Sequence, residues 1–428
     1  MTNAIRPTAP WPAAMGRRIL LATAAIEWGS SATSENNMMF EIVRELAGNG
    51  HQFIAVAERF RGTSPCPTVL VGRRRLDSLG GLTLPFRTAT AVRRGRLLEG
   101  ADLAQHAFPF AVGRTFSLLP LMLQHRDVPF VIGPVQTPQT QIWPDEASNS
   151  LAGRPLLMWV DRSAEQLARG PVRHLLRSLS VATLRSASAV VAMTRAARGL
   201  LLQHAVSDER ITVIPPPVGA EFFRSHVEDG DSSRLRFVTA GWLIERKGVE
   251  EVLRAFAGIR RRGIDAQLVI AGDGPRRALL EAEAGSLGVR DAVVFAGWLG
   301  RAALADLLAS ADILVSMSRS ESWGLTLGEA MASGTPVVSA DNVGAREQIR
   351  EGENGLLVPI GDAGACEARL FQLCQEPQLR VHLARSGRRW VEETLHPRAV
   401  SARWAELYDD VLAARRPRSV VHVVPDKP

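Results

Sequence analysis

Between Ser318 and Val338 the chain carries two carboxylates eight residues apart, Glu321 and Glu329, separated by Gly324-Leu325-Thr326. The stretch reads as a loop at the C-terminal end of a strand, then a short helix starting near Gly324, stopped by Gly334 and followed by another strand. In open parallel sheets, ligands sit at that edge. The first N–H groups of such a helix, on Gly324, Leu325 and Thr326, have no partner within it and point along the helix dipole toward an anion such as phosphate. Glu329 follows Gly324 by about 7 Å at a rise of about 1.5 Å per residue. A nucleotide whose diphosphate sits at the helix start places its ribose there. A carboxylate accepting from both hydroxyls of a vicinal diol makes two charge-assisted hydrogen bonds, each worth about 1.5 to 3 kcal/mol. Glu321 stands on the other side of the phosphate position, where a sugar on the terminal phosphate projects. Spacing alone leaves a plainer reading open, one loop acid and one helix-surface acid.

Three further strand-end loops carry polar or aromatic side chains. Ala240-Gly241-Trp242-Leu243-Ile244-Glu245-Arg246-Lys247-Gly248 contains one of only two lysines in the chain, Gly272-Asp273-Gly274-Pro275 is a tight turn, and Phe295-Ala296-Gly297-Trp298-Leu299 ends a strand. With Glu321, Gly324-Leu325 and Glu-Ala-Met-Ala-Ser-Gly-Thr-Pro-Val-Val from Glu329 onward, these loops resemble the signature of the retaining glycosyltransferase family 4. The resemblance covers nearly all of residues 211–410 and, more weakly, 17–210. It implies an α/β GT-B fold, two Rossmann-like, doubly wound parallel-sheet domains facing a central cleft with a C-terminal helix crossing back. The implied domains are 15–217 on the acceptor side, with the terminal helix 397–416 packing back on it, and 234–396 for the nucleotide sugar. The resemblance also implies that Glu321 contacts donor-sugar hydroxyls, Glu329 binds the donor ribose, the amides of Gly324, Leu325 and Thr326 hold the distal phosphate, and Lys247 clamps the diphosphate. Where the family has an Arg just after Gly241, this chain has Trp242; the neighbouring Arg246 either supplies the missing charge or, next to Lys247, points away. Trp298 and Leu299 would border the nucleobase; Trp298 fits a core position equally well.

On the acceptor side, Trp28-Gly29-Ser30-Ser31 occupies the family's glycine-rich loop near the donor phosphate, and only Gly29 matches it. Gly133-Pro134-Val135-Gln136 ends a central strand where many relatives place a His. Gln136 can hydrogen-bond a sugar hydroxyl but cannot act as a base. His106 is the nearest candidate for a polar group at the cleft, or else a structural residue. In the family's mechanism the departing phosphate takes the acceptor proton, so no enzyme base is required. The implied activity is metal-independent, retaining hexosyl transfer from a UDP- or GDP-sugar to a glycan, lipid or small-molecule acceptor. No cofactor is expected beyond the nucleotide sugar as co-substrate, since the metal-binding Asp-x-Asp of other transferases has no equivalent. A competing reading is a GT-B protein that binds a nucleotide sugar or a partner with little turnover, motivated by Trp242 and the missing His. A dinucleotide dehydrogenase is disfavoured, because no Gly-x-Gly-x-x-Gly follows the first strand.

Short apolar runs alternate with helix-period segments along the chain, the signature of parallel sheets covered by helices. Strands are predicted over 19–22, 53–57, 130–132, 189–192 and 211–214, and again over 236–240, 267–271, 293–296, 313–316, 336–339 and 355–358. A helix over 36–48 closes at Gly48-Asn49-Gly50. Pro215-Pro216-Pro217-Val218-Gly219, then the polar 228–233, reads as a linker. A helix over 397–414 lines Val400, Trp404, Leu407, Tyr408 and Val411 along one stripe.

With 428 residues, 46% hydrophobic and 22% charged, the chain fits two folded domains and excludes disorder, collagen and coiled coil. No apolar run approaches the roughly 18 residues of a transmembrane helix. Arg17 to Ile26 imitates an export signal, but Glu27 follows and no cleavage site appears, so a first strand is the expectation. Three scattered cysteines form neither a disulfide framework nor a metal site, which points to the cytoplasm. The net charge of +7 lies wholly in residues 1–230, which hold 25 basic and 18 acidic side chains against 26 of each in 231–428. Arg59, Arg61, Arg73, Arg74, Arg75, Arg87, Arg93, Arg94 and Arg96 either meet an anionic acceptor or the inner membrane face peripherally, or form a solvated surface. Nucleic acid is not expected, because the basic stretch lacks interleaved aromatics.

Overall fold

The computed structural model describes residues 16–22, 25–27, 34–57, 59–61, 66–70, 89, 92, 98–106, 128–136, 171–224 and 234–414. The first half contains β1 (Arg18–Ala22), β2 (Ala25–Glu27), α1 (Ser34–Gly48), β3 (Gln52–Ala57), β4 (Arg59–Arg61), β5 (Thr68–Leu70), β6 (Leu103–His106), β7 (Phe130–Val135), α2 (Pro171–Ser186), β8 (Ala189–Ala192), α3 (Arg195–Gln203) and β9 (Ile211–Val213). Seven of these strands form one sheet in the order β5-β3-β1-β6-β7-β8-β9, while β2 and β4 pair separately. The second half contains β10 (Leu235–Ala240), α4 (Val249–Arg261), β11 (Ala266–Ala271), α5 (Arg277–Ser286), β12 (Val293–Gly297), α6 (Arg301–Ala309), β13 (Ile313–Ser316), α7 (Leu325–Ala332), β14 (Val337–Ala340), α8 (Val343–Gln348) and β15 (Leu356–Val358). Its six strands run β12-β11-β10-β13-β14-β15. α9 (Ala363–Gln375), α10 (Pro377–Thr394) and α11 (Pro397–Ala413) follow.

All strand pairings in both large sheets are parallel. The central strands are continuous apolar runs because both sheet faces are covered: Ile19 through Ala22 and Val190 through Ala192 are all buried. In the second sheet the strand order reverses between β10 and β13, whose adjacency is fixed by the Phe237↔Ile313 and Val238↔Leu314 pairs. Such a switch point leaves a crevice between the two departing loops.

The predicted strands fall within a few residues of those found. β2, β4, β5 and β6 are additional; around β4 and β5, arginines and prolines mask any apolar alternation. The stretch after β9 departs from the linker expectation. Ile214 and Val218 are buried with Phe222 in one apolar cluster that includes Leu327, Met331, Leu395 and Trp404, and the Val218 N–H donates to the Leu395 carbonyl at 2.9 Å. The proline run therefore crosses between the halves as packed core. Its polar continuation, 228–233, lies outside the described residues. So do Arg73, Arg74, Arg75, Arg87, Arg93, Arg94 and Arg96, and the side chains of Arg59 and Arg61 on β4. Among the described residues no helix is long and apolar enough to cross a membrane.

α11 returns to the first half and buries the predicted stripe, Val400, Trp404, Leu407, Tyr408 and Val411. The Tyr408 hydroxyl donates to the buried Gln105 side-chain carbonyl on β6, and Arg17 pairs with Asp409 at 2.9 Å. Trp404→Ala is expected to cost about 3 to 5 kcal/mol. Tyr408→Phe, which strips a buried acceptor of its donor, should cost about 1 to 3 kcal/mol. Urea unfolding followed by circular dichroism reads both; an unchanged midpoint for Trp404→Ala would show that α11 is not part of the core of the first half.

Candidate active site

The loops leaving β10 and β13 meet at the switch point. After β10 the chain makes one 3-10 turn over Glu245–Lys247, ended by Gly248 in the left-handed region, and starts α4. This turn places Lys247 against the loop after β13. Its Nζ lies 2.5 Å from Oε1 of Glu321, Arg246 Nη1 lies 3.4 Å from the same oxygen, and the Ser318 hydroxyl donates to it at 2.8 Å. Burial pushes the Glu321 carboxyl up, but the charges of Lys247 and Arg246, with the hydrogen bonds from Lys247 and Ser318, outweigh it and hold the group below its ordinary value. Glu321 is therefore a carboxylate at neutral pH. A small recess opens beside Lys247, with Gly241, Leu243, Ser316 and Ser318 among its walls.

Lys247 keeps 23% of its side chain exposed, whereas Arg246 keeps 9% and donates to the Ser320 carbonyl at 2.8 Å. Arg246 is thus turned into the protein, which is the second of its two readings, and it does not stand in directly for the missing Arg. Its charge acts on the site through Glu321. Trp242, at the position of that missing Arg, is 38% exposed. Its loop is braced by backbone bonds from Gly241 to Ala271 (2.9 Å) and from Leu243 to Asp273 (2.9 Å). The glycine turn is structural, since a Cβ on Gly272 would lie 1.8 Å from the Gly241 carbonyl oxygen. Trp298 is 68% exposed at the end of β12, which rules out the core alternative, and Leu299 beside it is half-buried.

α7 starts at Leu325 with Gly324 left-handed at its N-cap. The N–H groups of Gly324, Leu325 and Thr326 lie at this helix start as expected, beside the Glu321 loop. Glu329 follows on the buried side at 8% exposure. Burial pushes its carboxyl up to about 7; the neighbouring Glu221 adds to that, while Arg301 and Lys247 pull against it. Arg301, at the start of α6, bonds the Glu221 carboxylate and lies over the Phe222 ring at 5.2 Å. Sequence reading missed this pair, since 80 residues separate its members. It also missed Ser318 on Glu321, although a hydroxyl three residues before an acid in a loop is a local signal.

On the acceptor side the candidates do not assemble with these groups. His106 is 2% exposed within the sheet, paired with Ala22 and Ile132, its ring edge-on to Phe130 at 5.8 Å. It is a core residue rather than a polar group at the cleft, because the strand that carries it is flanked on both sides. Gln136 stands half-buried just past the end of β7. Gly29 lies outside the described residues.

Two parallel sheets covered by helices, with charged loops gathered at the switch point of the second, define the chain as a GT-B protein. Sucrose-phosphate synthase from Thermosynechococcus elongatus has a similar fold, with a TM-score of 0.70 at 20% identity over 93% of this chain and 100% of that one. So does Anabaena HepE in complex with UDP, at 0.67 and 16% identity over 92% and 100%. The family described as "Glycosyltransferase Family 4" matches residues 36–222, and "Glycosyl transferases group 1" matches residues 222–390. The chain belongs to this glycosyltransferase family. Among curated relatives, the alpha-D-kanosaminyltransferase of Streptomyces kanamyceticus is 28% identical over 251 residues, which are 56% of this chain and 63% of that protein. Across eight such relatives the chain spans between 37% and 63% of their length.

The raised Glu329 carboxyl has a consequence for stability. A carboxyl whose folded value exceeds its unfolded one binds more protons when folded, so stability from this group falls as pH rises from about 4.5 to about 7. Above that window the buried charge costs on the order of 3 kcal/mol. Glu329→Gln, which keeps the neutral shape, should therefore raise the melting temperature by a few degrees at pH 8 and by almost nothing at pH 4.5. Thermal melts across that range check it, and a pH-independent difference would contradict the buried titration.

Proposed function

We propose that this protein is a retaining glycosyltransferase that moves a sugar from a UDP- or GDP-linked donor to a glycan, lipid or small-molecule acceptor bound mainly by the first half. The observation that carries this reading is the Lys247–Glu321 pair at 2.5 Å beside the N-terminus of α7, with Glu329 buried further along that helix. Family membership and the sugar-transferring relatives support it. That HepE, which shares the fold, was solved in complex with UDP is consistent with a nucleoside diphosphate ligand.

On this reading the distal phosphate lies on the amides of Gly324, Leu325 and Thr326, the ribose diol on Glu329, the base between Trp298 and Leu299, and the sugar against Glu321. The bond from C1 of the sugar to the phosphate oxygen breaks with its electron pair leaving on that oxygen. The acceptor hydroxyl bonds C1 from the same face and its proton passes to the departing phosphate, so the burial of His106 is no obstacle. Charge grows on the diphosphate, and Lys247 and the helix start are already oriented to meet it. These groups supply the positive charge at the leaving group, and metal independence is part of the proposal. The Arg59 to Arg96 stretch would serve an anionic acceptor or a peripheral membrane contact at the inner face in the cytoplasm.

A second reading, nucleotide-sugar binding with weak turnover, is favoured by Trp242 alone. Mass-spectrometric detection of nucleoside diphosphate released from UDP- and GDP-sugars, with and without cell extract, separates the two.

Lys247→Ala is expected to raise the nucleotide-sugar KM and lower kcat together, each about tenfold or more, because the charge it meets is larger in the transition state. Glu329→Gln should weaken UDP or GDP binding by about ten- to a hundredfold. Calorimetric titration showing parental affinity in a folded Glu329→Gln protein would remove the ribose assignment. Trp242→Arg should improve donor use if the site lacks only the missing clamp. A loss of folding would instead place Trp242 in the packing of its loop.

A further inference from the structure

Helix α8 has six residues, yet with its N-cap Asn342 it grips the donor-side loop at four points. The Asn342 side-chain amide donates to the Ser318 carbonyl at 2.8 Å, the Gly344 N–H to the Glu321 carbonyl at 3.1 Å, and the Gln348 amide to the carbonyls of Trp323 at 2.6 Å and Gly324 at 3.1 Å. The contact is close enough that a Cβ on Gly344 would lie 2.4 Å from the Trp323 carbonyl oxygen. The backbone that aims Glu321 and starts α7 is therefore fixed to α8.

The same helix reaches the other half of the molecule. Oε1 of Glu347 accepts from the backbone N–H of Ala196 at 3.3 Å, and its Oε2 lies 3.2 Å from Arg195 Nε. Ala196 is in the first turn of α3, which leaves the C-terminal end of β8 in the first sheet. The Thr194 hydroxyl caps Ala197 at 2.9 Å, and Glu347 satisfies the neighbouring N–H from 151 residues away. A carboxylate at a helix N-terminus is favoured by the helix dipole and by a charge-assisted bond. Glu347 is 11% exposed, so that bond is shielded from water, whereas the Arg195 side chain is 75% exposed and contributes little.

We infer that Glu347 is a positioning residue that holds the loop carrying Glu321 in register with the acceptor-side half. The inference rests on the proposed sugar transfer, which needs C1 of a sugar held by Glu321 to face a hydroxyl held by the first half. Through Glu347, α8 ties both requirements to one six-residue helix. The Ala196 N–H carries the tie, and Arg195 is secondary.

Glu347→Ala, Glu347→Gln and Arg195→Gln test this by two routes. In the ligand-free protein, amide hydrogen exchange should accelerate at least tenfold in both 195–197 and 318–324 for Glu347→Ala. Glu347→Gln keeps an oxygen for the Ala196 N–H and should return exchange to within about threefold of the parent, as should Arg195→Gln. With UDP-glucose and GDP-mannose as probes, whichever is turned over by the parent should show a kcat at least tenfold lower in Glu347→Ala. Its KM, and the Kd of the matching UDP or GDP, should stay within about threefold. Acceleration confined to 195–197, or an equal loss of nucleotide binding and turnover, overturns the inference, as does failure of Glu347→Gln to rescue. If neither probe nor nucleotide binds the parent, the proposed function fails, and the exchange data alone still decide whether Glu347 couples the two segments.

Discussion

A carboxylate buried at the edge of a sheet cannot stay ionised without cations, and the second half of this molecule is arranged around that constraint at Glu321. Two cations come from consecutive residues, Arg246 and Lys247, on a 3-10 turn that is useful only because β10 lies next to β13. Removing Glu321 would leave both cations uncompensated, a far larger loss than the net worth of the cluster. Its surroundings are tied the same way: the Arg319 N–H donates to the Arg246 carbonyl at 2.8 Å, while the Arg319 guanidinium reaches Glu251 and Glu245. The strand order, the left-handed glycine at the end of the turn and the acidic start of α4 all serve to keep Glu321 charged and aimed.

Glu329 shows the opposite treatment of the same chemical group. Further along α7, its largest source of relief among the described residues is Arg301, which is committed to Glu221. Glu221 lies in the crossing between the halves, and Arg301 also feels Glu41 on α1 of the first half. Two carboxylates eight residues apart are thus shifted in opposite directions, because one is neutralised locally while the other is held within a charge network that spans both halves.

Much of this was legible in the sequence where the chemistry is local. Continuous apolar runs gave away the strands, since strands covered on both faces have no polar side to show. Glu321, Gly324 and Glu329 could be placed because loop, helix start and helix lie within a dozen residues. Pairings across long separations were not legible: Glu221 with Arg301 at 80 residues, Ala196 with Glu347 at 151 and Tyr408 with Gln105 at 303. Side-chain direction was hidden too. Neighbours such as Arg246 and Lys247 look alike in sequence, and only the turn decides which faces inward. His106 stayed undecided because a residue at a strand end is open or enclosed according to the strands on either side, and the proline run was misread because it looks the same as spacer or as core.

The position of α11 has a consequence for how the molecule comes into being. The first half is made early, yet part of its hydrophobic interior is contributed by Trp404 and Tyr408, which leave the ribosome after both sheets have been synthesised. Until then the surface of α1 and the side chain of Gln105 lack their cover, so folding of the first half stays incomplete through the translation of nearly two hundred later residues. At about 5 to 20 residues per second, that interval lasts roughly ten to forty seconds, long enough for a chaperone to shield the uncovered apolar groove.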